Sequence, residues 1–334
     1  MKRSRKNGDS PDGEVPANQK HKDTNMMDRR TFLGTAAVAA AGLAAQAPLA
    51  AAGLAAPKRK DKKNAVKPDE ILVRFLGTGA ADWNGPDERG EHRRLSSVLV
   101  DNLFLIDFTA TAKDMLPADV HPRTIFYTHS HGDHYSPKAA LEIGIEQVYL
   151  SETILQKGIR DFRKASEELG LPMPVISTIS PGSSVRMGDL IVTAIPSNHF
   201  VSFEEQTQMY LLEKNGVRLV YATDTGGIPC KAAQIVGIDA HSKGKPITGL
   251  IMEATMGIGY DDDFRLYTHS SVATVHQIYR VLHSTGRYTP PEGQPVYLTH
   301  MARGLHGTQA ELDATLPAPL KAAYDGQEVA FKAV

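Results

Sequence analysis

The chain reads Tyr127-Thr128-His129-Ser130-His131-Gly132-Asp133-His134 over one short stretch, in which three histidines and one aspartate fall within six positions. Residues 123–127 are mostly β-branched or aromatic, so they are predicted to form a strand that opens into this stretch. Alternation along extended backbone directs His129 and His131 the same way, and a turn at Gly132 is expected to fold Asp133 and His134 back toward a second centre. Imidazole and carboxylate ligands favour Zn²⁺, Mn²⁺ or Fe²⁺ over Ca²⁺ or Mg²⁺. The stretch therefore predicts half of a two-metal site, with a histidine-rich surface loop as the simpler alternative.

Bulk composition places few limits on function. The 334 residues suffice for one large domain or two modest ones, and 37 Lys plus Arg against 38 Asp plus Glu leave a formal net charge of −1. This balance does not indicate a general nucleic-acid-binding surface. The one cysteine, Cys230, cannot form an intramolecular disulfide and is expected to be a small buried or half-buried side chain.

The first seventy residues differ in composition from the rest. Residues 1–25 are polar and are expected to be disordered. Asp28-Arg29-Arg30-Thr31-Phe32-Leu33-Gly34 and the alanine-rich run to Ala56 resemble a twin-arginine export signal, and residues 57–69 form a charged linker. We therefore expect the twin-arginine export machinery as a partner and a periplasmic or extracellular product. An uncleaved membrane anchor or an alanine-rich helix is the alternative, and the start codon is open among Met1, Met26 and Met27.

Residues 70–334 are predicted to form one mixed α/β domain in which apolar strands end in polar side chains. His199 follows an apolar strand, and so do Asp224 and His300. An aspartate in such a position can bridge two divalent ions.

Three further side chains are expected to support the site. Asp107 is expected to accept a hydrogen bond from a metal-bound histidine or from backbone N–H groups, with a plain helix cap as the alternative. Glu253 is either a supporting carboxylate or a polar strand end. His269 is placed at the mouth of a helix that Ser270 or Ser271 caps, and a later helix is predicted over residues 308–323.

The order of these motifs resembles the phosphodiesterase branch of the metallo-β-lactamase superfamily, which includes ribonuclease Z. The segments 92–94, 105–107 and 323–329 look most like phosphoribosyl cyclic phosphate phosphodiesterases. The resemblance covers residues 70–334. It implies an αβ/βα sandwich of two packed β-sheets with helices outside, and two divalent metal ions, with Zn ahead of Mn or Fe.

The resemblance also implies the role of each ligand. His129, His131 and His199 would bind the first ion, and Asp133, His134 and His300 the second. Asp224 would bridge them. His269 matches the helper histidine of ribonuclease Z, so Asp133 and His269 are the candidate catalytic residues.

Three features separate this chain from particular relatives. Only 24 residues lie between His199 and Asp224, too few for the tRNA-gripping arm of ribonuclease Z. Cys230 alone cannot supply the cysteine-containing structural zinc site of the cyclic phosphate enzymes. His131 stands where oxygen-reducing di-iron relatives carry a carboxylate.

The predicted function is that of an exported dinuclear metal-dependent hydrolase. Its substrate would be a small, cyclic or nucleotide-like phosphodiester, attacked by a metal-bridging hydroxide with His269 as proton donor. Arg93 and Arg94 are weaker candidates for phosphate contact. A lactone or ester hydrolase and a non-catalytic metal-binding protein are the alternatives, and the sequence leaves a monomer and a homodimer open.

Overall fold

Two β-sheets pack face to face, with helices on their outer sides. The computed structural model describes residues 66–334, so the predicted N-terminal region and signal (1–56) and most of the predicted linker (57–69) lie outside the described residues. The first sheet contains β1 (Glu70–Gly77), β2 (Ser97–Val100), β3 (Phe104–Ile106), β4 (Thr124–Phe126), β5 (Gln147–Leu150), β6 (Val175–Thr178) and β14 (Glu328–Lys332). The second contains β7 (Ser184–Met187), β8 (Leu190–Pro196), β9 (Gln208–Lys214), β10 (Val217–Ala222), β11 (Gly249–Glu253), β12 (Val296–Thr299) and β13 (Leu320–Ala322).

Helices cover the outer face of each sheet. They are α1 (Pro137–Glu142), α2 (Leu155–Leu169), α3 (Cys230–Val236), α4 (Val272–Ser284) and α5 (Gln309–Thr315), with short 3₁₀ helices at Ala110–Met115, Glu152–Ile154 and Phe264–Tyr267. α1 and α2 pack on the first sheet, and α3 and α4 on the second. The predicted αβ/βα sandwich is confirmed.

The strands are apolar on both faces because both faces are covered. In β2, Val98 and Val100 point into the core between the sheets, whereas Leu99 points toward the helices. The aromatic rings of Phe126 and Tyr210, from opposite sheets, meet in that core with centroids 5.7 Å apart. This burial fixes the register of the strands and hence the positions of their ends.

The carboxyl ends of the strands point to one edge of the sandwich. β3 to β6 are mutually parallel, as are β10 to β13, and β8 runs in the same direction as β10 because each is antiparallel to β9. Polar residues that follow these strands are therefore brought together although they are distant in sequence.

Most predicted elements are observed, with two corrections. The helix predicted over 308–323 is wrong beyond Thr315, because Pro317 and Pro319 cannot continue a helix and the chain then forms β13. Cys230 is exposed at the first position of α3, not buried. Among residues 66–334, no helix is both long and apolar enough to cross a bilayer.

Candidate metal centre

Seven predicted ligand side chains lie together at the carboxyl edge of the two sheets. Four come from the loop after β4, and three follow β8, β10 and β12. They form two groups whose ligand atoms lie within 4.8 Å of one another, namely His129, His131, His199 and Asp224, and Asp133, His134, Asp224 and His300.

The first group presents three imidazole nitrogens at near-equal spacing. Nδ1 of His131 lies 3.1 Å from Nε2 of His129 and 3.1 Å from Nε2 of His199. Tetrahedral coordination with metal–nitrogen bonds of about 2.0–2.1 Å places ligand nitrogens roughly 3.3 Å apart. The spacing therefore fits a single ion of zinc size.

The second group combines two imidazoles and a carboxylate. Nε2 of His134 and Nε2 of His300 lie 3.3 Å and 3.4 Å from the same oxygen of Asp133. Both histidines are almost completely buried, and of the two only His300 reaches the cavity described below.

Asp224 lies between the two groups. Its Oδ2 is 3.0 Å from Nε2 of His129 and 3.1 Å from Nε2 of His134, and its Oδ1 is 2.9 Å from Nε2 of His300. One carboxylate thus faces nitrogens of both groups, as a bridging ligand must.

Two buried atoms at the centre have no hydrogen-bond partner within the described part of the chain. They are Nε2 of His134 and Oδ1 of Asp224. Other ligand atoms lie close to each of them but are not aligned for a hydrogen bond. Such an arrangement is expected where several ligand atoms point toward the position of one ion. Because an unpaired buried polar atom is costly, the donor set fits bound divalent cations. The role of each residue as a ligand stays a prediction.

The backbone is left-handed at three of the strand exits. Asp107, Asp224 and His300 have φ of 55°, 46° and 52°. Residues other than glycine seldom adopt this conformation, and it costs of order 1–3 kcal/mol where it is held by surrounding structure. It turns each side chain sharply inward from the end of its strand.

The predicted turn at Gly132 is present, but it does not require the conformational freedom of glycine. The φ of Gly132 lies outside the left-handed region, and an added Cβ would meet no atom within 4 Å. The turn, over residues 132–134, is closed by the backbone N–H groups of His134 and Tyr135, which both donate to the carbonyl of His131.

Two carboxylates orient the histidines, and sequence reasoning assigned neither with certainty. Asp107 accepts hydrogen bonds from Nδ1 of His134 and from the backbone N–H of Thr128, both at 2.8 Å, as predicted for this residue. Glu253 is completely buried and lies 3.2 Å from Nδ1 of His269. Its position at the end of an apolar strand was the one signal available for it, and the structure places it beside the site.

Thr255 and His269 complete this side of the centre. Oγ1 of Thr255 lies 2.8 Å from Nδ1 of His300 and 3.1 Å from Nδ1 of His269. Ser271 caps α4 through the N–H of Thr274, so His269 lies just before the helix, as predicted. Burial lowers the pKa of His269, but the carboxylates of Glu253 and Asp224 together outweigh it, so the net pKa is raised. Contact with Glu253 through Nδ1 leaves the other ring nitrogen for a bound molecule.

Burial and neighbouring charge act differently on two other histidines. Burial lowers the pKa of His199 to about 4. Burial also opposes protonation of His300, but Asp224 and Asp133 outweigh it and raise the pKa of His300 to about 10. The carboxylates thus stabilise positive charge in the second group.

A cavity of about 260 Å³ opens onto these residues. Six predicted site residues line it, together with Asp82, Thr255 and Arg265; they are His131, Asp133, His199, Asp224, His269 and His300. Arg93 and Arg94 do not line it. Arg93 is buried and donates to Thr78, the carbonyl of Ala323 and Gln309, and Arg94 pairs with Asp114, so both are structural.

Comparison with known proteins agrees with the observed fold. Three solved structures share the fold: the short form of human tRNase Z (17% identity, 77% of this chain, 98% of that chain, TM-score 0.54), Zn²⁺-bound PqqB from Methylobacterium extorquens (15%, 77%, 99%, 0.55) and unliganded yeast PDE1 (12%, 79%, 99%, 0.56). No curated protein matches the sequence. The family described as "Beta-lactamase superfamily domain" matches residues 97–301, which include every predicted metal ligand. The chain therefore belongs to the β-lactamase superfamily and has its metallo-β-lactamase fold.

Proposed function

We propose that this protein is a dinuclear metal-dependent phosphodiesterase that acts on a small, cyclic or nucleotide-like phosphodiester. The observation that carries the proposal is the position of Asp224, whose two oxygens face both histidine groups at the floor of an open cavity. Divalent ions bound there would supply Lewis acidity and a water of lowered pKa.

The side chains of the protein would bind the ions and transfer the proton. His129, His131 and His199 would hold one ion, Asp133, His134 and His300 the other, and Asp224 both. His269 would donate a proton to the leaving oxygen while Glu253 holds its ring. Arg265 is the one arginine or lysine among the described residues that line the cavity, and its charge suits a phosphoryl oxygen.

The cavity lining favours phosphodiesters over lactones and esters. Acyl transfer needs a donor for the carbonyl oxyanion, which a tyrosine or serine hydroxyl could supply. Neither residue type lines the cavity among the described residues. The shared fold of tRNase Z and PDE1 is compatible with phosphodiester chemistry, although at this identity it supports the fold alone.

A substrate screen on metal-analysed protein tests the proposal. We expect about two ions per chain by mass spectrometry and hydrolysis of bis-p-nitrophenyl phosphate, with His131→Ala losing most of both. Hydrolysis of lactones but not of phosphodiesters would replace the proposal with the acyl alternative. Fewer than one ion per chain would favour a non-catalytic protein.

We also propose export by the twin-arginine machinery, on the basis of residues 28–34 and the alanine-rich run that follows. These residues lie outside the described part of the chain. Fractionation of cells that express the wild type and the Arg29→Lys/Arg30→Lys variant tests it: we expect the variant to stay in the cytoplasm, and equal export of both would contradict the proposal.

A further inference from the structure

Exposed aromatic side chains are concentrated on two segments that flank the metal centre. Among the described residues, five of the six exposed aromatic side chains lie in the segments 198–205 and 260–268, with Tyr324 as the sixth. We call these five the aromatic rim: Phe200 (52% exposed), Phe203 (96%), Tyr260 (36%), Phe264 (78%) and Tyr267 (81%). Exposed apolar patches of this kind mark sites at which a protein binds a ligand, a partner or a membrane.

The two segments of the rim adjoin the cavity along the chain. Phe200 directly follows His199, and Phe264 directly precedes Arg265, and both of these neighbours line the cavity. Phe200 and Phe203 contact each other edge to face, with ring centroids 5.3 Å apart.

The two segments are held together beside the centre. Nδ2 of Asn198 donates to the carbonyl of Tyr267 at 3.1 Å, and Nδ1 of His199 lies 3.2 Å from the carbonyl of Thr268. The first segment is also fixed to the metal-binding loop, because Glu205 accepts from the backbone N–H and hydroxyl of Ser130 at 2.7 and 2.6 Å. The rim therefore has a defined position relative to the ligands.

The negative charge of the two segments limits the classes of ligand that the rim can bind. They carry five carboxylates (Glu204, Glu205, Asp261, Asp262 and Asp263) and a single guanidinium, Arg265. An anionic membrane surface or a polyanionic nucleic acid would be repelled, whereas a small molecule with one phosphate and a flat apolar group would not.

We propose that the aromatic rim binds a planar aromatic group of the substrate while its phosphate lies at the metal centre. The inference rests on the proposed phosphodiesterase function and narrows it to phosphodiesters of aromatic-containing groups, such as nucleosides or aryl alcohols. Stacking of one ring on aromatic side chains raises affinity by about 5- to 150-fold, which is the equivalent of about 1–3 kcal/mol.

Calorimetric binding of phenylphosphonate and methylphosphonate to the zinc-loaded protein tests the inference, because neither compound can be hydrolysed. We expect phenylphosphonate to bind about tenfold more tightly, and Phe200→Ala and Tyr267→Ala to reduce that preference to about twofold. Tyr324→Ala, which removes an exposed aromatic side chain outside the rim, should leave the preference unchanged. All three side chains are exposed, and circular dichroism would verify that each variant is folded.

The outcomes separate this inference from the proposed function. Equal binding of the two phosphonates, unchanged in the rim variants, would overturn the role of the rim and leave the phosphate site intact. Binding of neither compound, with no hydrolysis of phosphodiesters, would overturn both. Sedimentation of the wild type with phosphatidylcholine vesicles, lost in the rim variants while the phosphonate preference is retained, would show that the rim binds membranes instead.

Discussion

The carboxylate of Asp107 lies 2.8 Å from Nδ1 of His134, and both side chains are completely buried. The same carboxylate accepts from the backbone N–H and hydroxyl of Thr128, the residue before the first predicted ligand. Asp107 therefore fixes both the ring of His134 and the start of the metal-binding loop.

Replacement of Asp107 should weaken metal binding without removal of any ligand. Loss of an orienting partner of a ligand histidine typically costs 10–100-fold in metal affinity. We expect about that loss for Asp107→Asn in chelator competition with zinc. Asp114→Asn, a change at an exposed carboxylate, is the control, and equal affinities of the two variants would contradict the role of Asp107.

Glu253 should set the pH dependence of the reaction. A proton donor must be protonated, so kcat/KM falls as pH rises above its pKa, and Glu253 raises the pKa of His269. In Glu253→Gln we therefore expect the descending limb of the pH–rate profile to move to lower pH, with metal content retained. If the descending limb is unchanged in Glu253→Gln, His269 is not the group that titrates. Independently, His269→Ala should lower kcat about 100-fold or more, because it removes the proton donor.

Metal binding to the second group should release protons. In the metal-free chain, the raised pKa of His300, about 10, keeps that imidazole protonated at pH 7, whereas His199, with a pKa of about 4, is already neutral. An incoming ion must displace the proton, so affinity should increase as pH rises from 7 toward 10. Zinc titration calorimetry at pH 7 in two buffers of different ionisation enthalpy would measure the release, and heats independent of buffer would contradict it.

Two glycines of the centre should respond differently to alanine. An added Cβ at Gly226 would lie 2.8 Å from the carbonyl oxygen of Leu266 and 3.0 Å from that of Tyr267, backbone that leads to His269. We expect Gly226→Ala to displace this segment and lower kcat at least tenfold. Gly132→Ala, although inside the metal-binding loop, should keep activity and change the free energy of unfolding by less than about 1 kcal/mol, because nothing opposes its methyl group. Thermal denaturation and steady-state kinetics of both variants would check this contrast.

Arg265 should contribute to substrate affinity. Asp263 holds its guanidinium through contacts of 2.9 and 2.7 Å, at the wall of the cavity. We expect Arg265→Gln to raise KM for bis-p-nitrophenyl phosphate about tenfold with a smaller effect on kcat, since a charge-assisted hydrogen bond is worth roughly 1.5–3 kcal/mol. Arg303→Gln is the matched control, because Arg303 contacts Asn84 and the carbonyl of Pro86 instead. A similar KM in both variants would place the phosphate away from Arg265.

The sequence was sufficient to predict the fold and the residues that meet at the centre. His199, Asp224 and His300 each follow an apolar strand. Because parallel strands end at a common edge of the sheet, this local sequence pattern predicts that the three side chains lie close together. The resemblance to a known family supplied the αβ/βα sandwich, because periodicity alone indicated only a mixed α/β fold.

Other features depend on tertiary contacts and left no local signal. Gly132 stands out in the sequence because it lies in the motif, but of these two glycines it is Gly226 that has close neighbours, and they lie forty residues away. Likewise, the sequence does not predict that Phe203 and Tyr267 are exposed, because an aromatic side chain in a loop can be either buried or exposed. Asp107, Asp224 and His300 adopt left-handed backbone that residue type alone would not predict.

The candidate ligands are contributed by both layers of the sandwich. The loop after β4 belongs to the first sheet, whereas His199, Asp224 and His300 follow strands of the second. Any cation bound by both sets joins the two layers non-covalently, so separation of the layers during unfolding must release it. Cation concentration should then alter the rate at which the interior amides of both sheets exchange with solvent, even for strands that contribute no ligand.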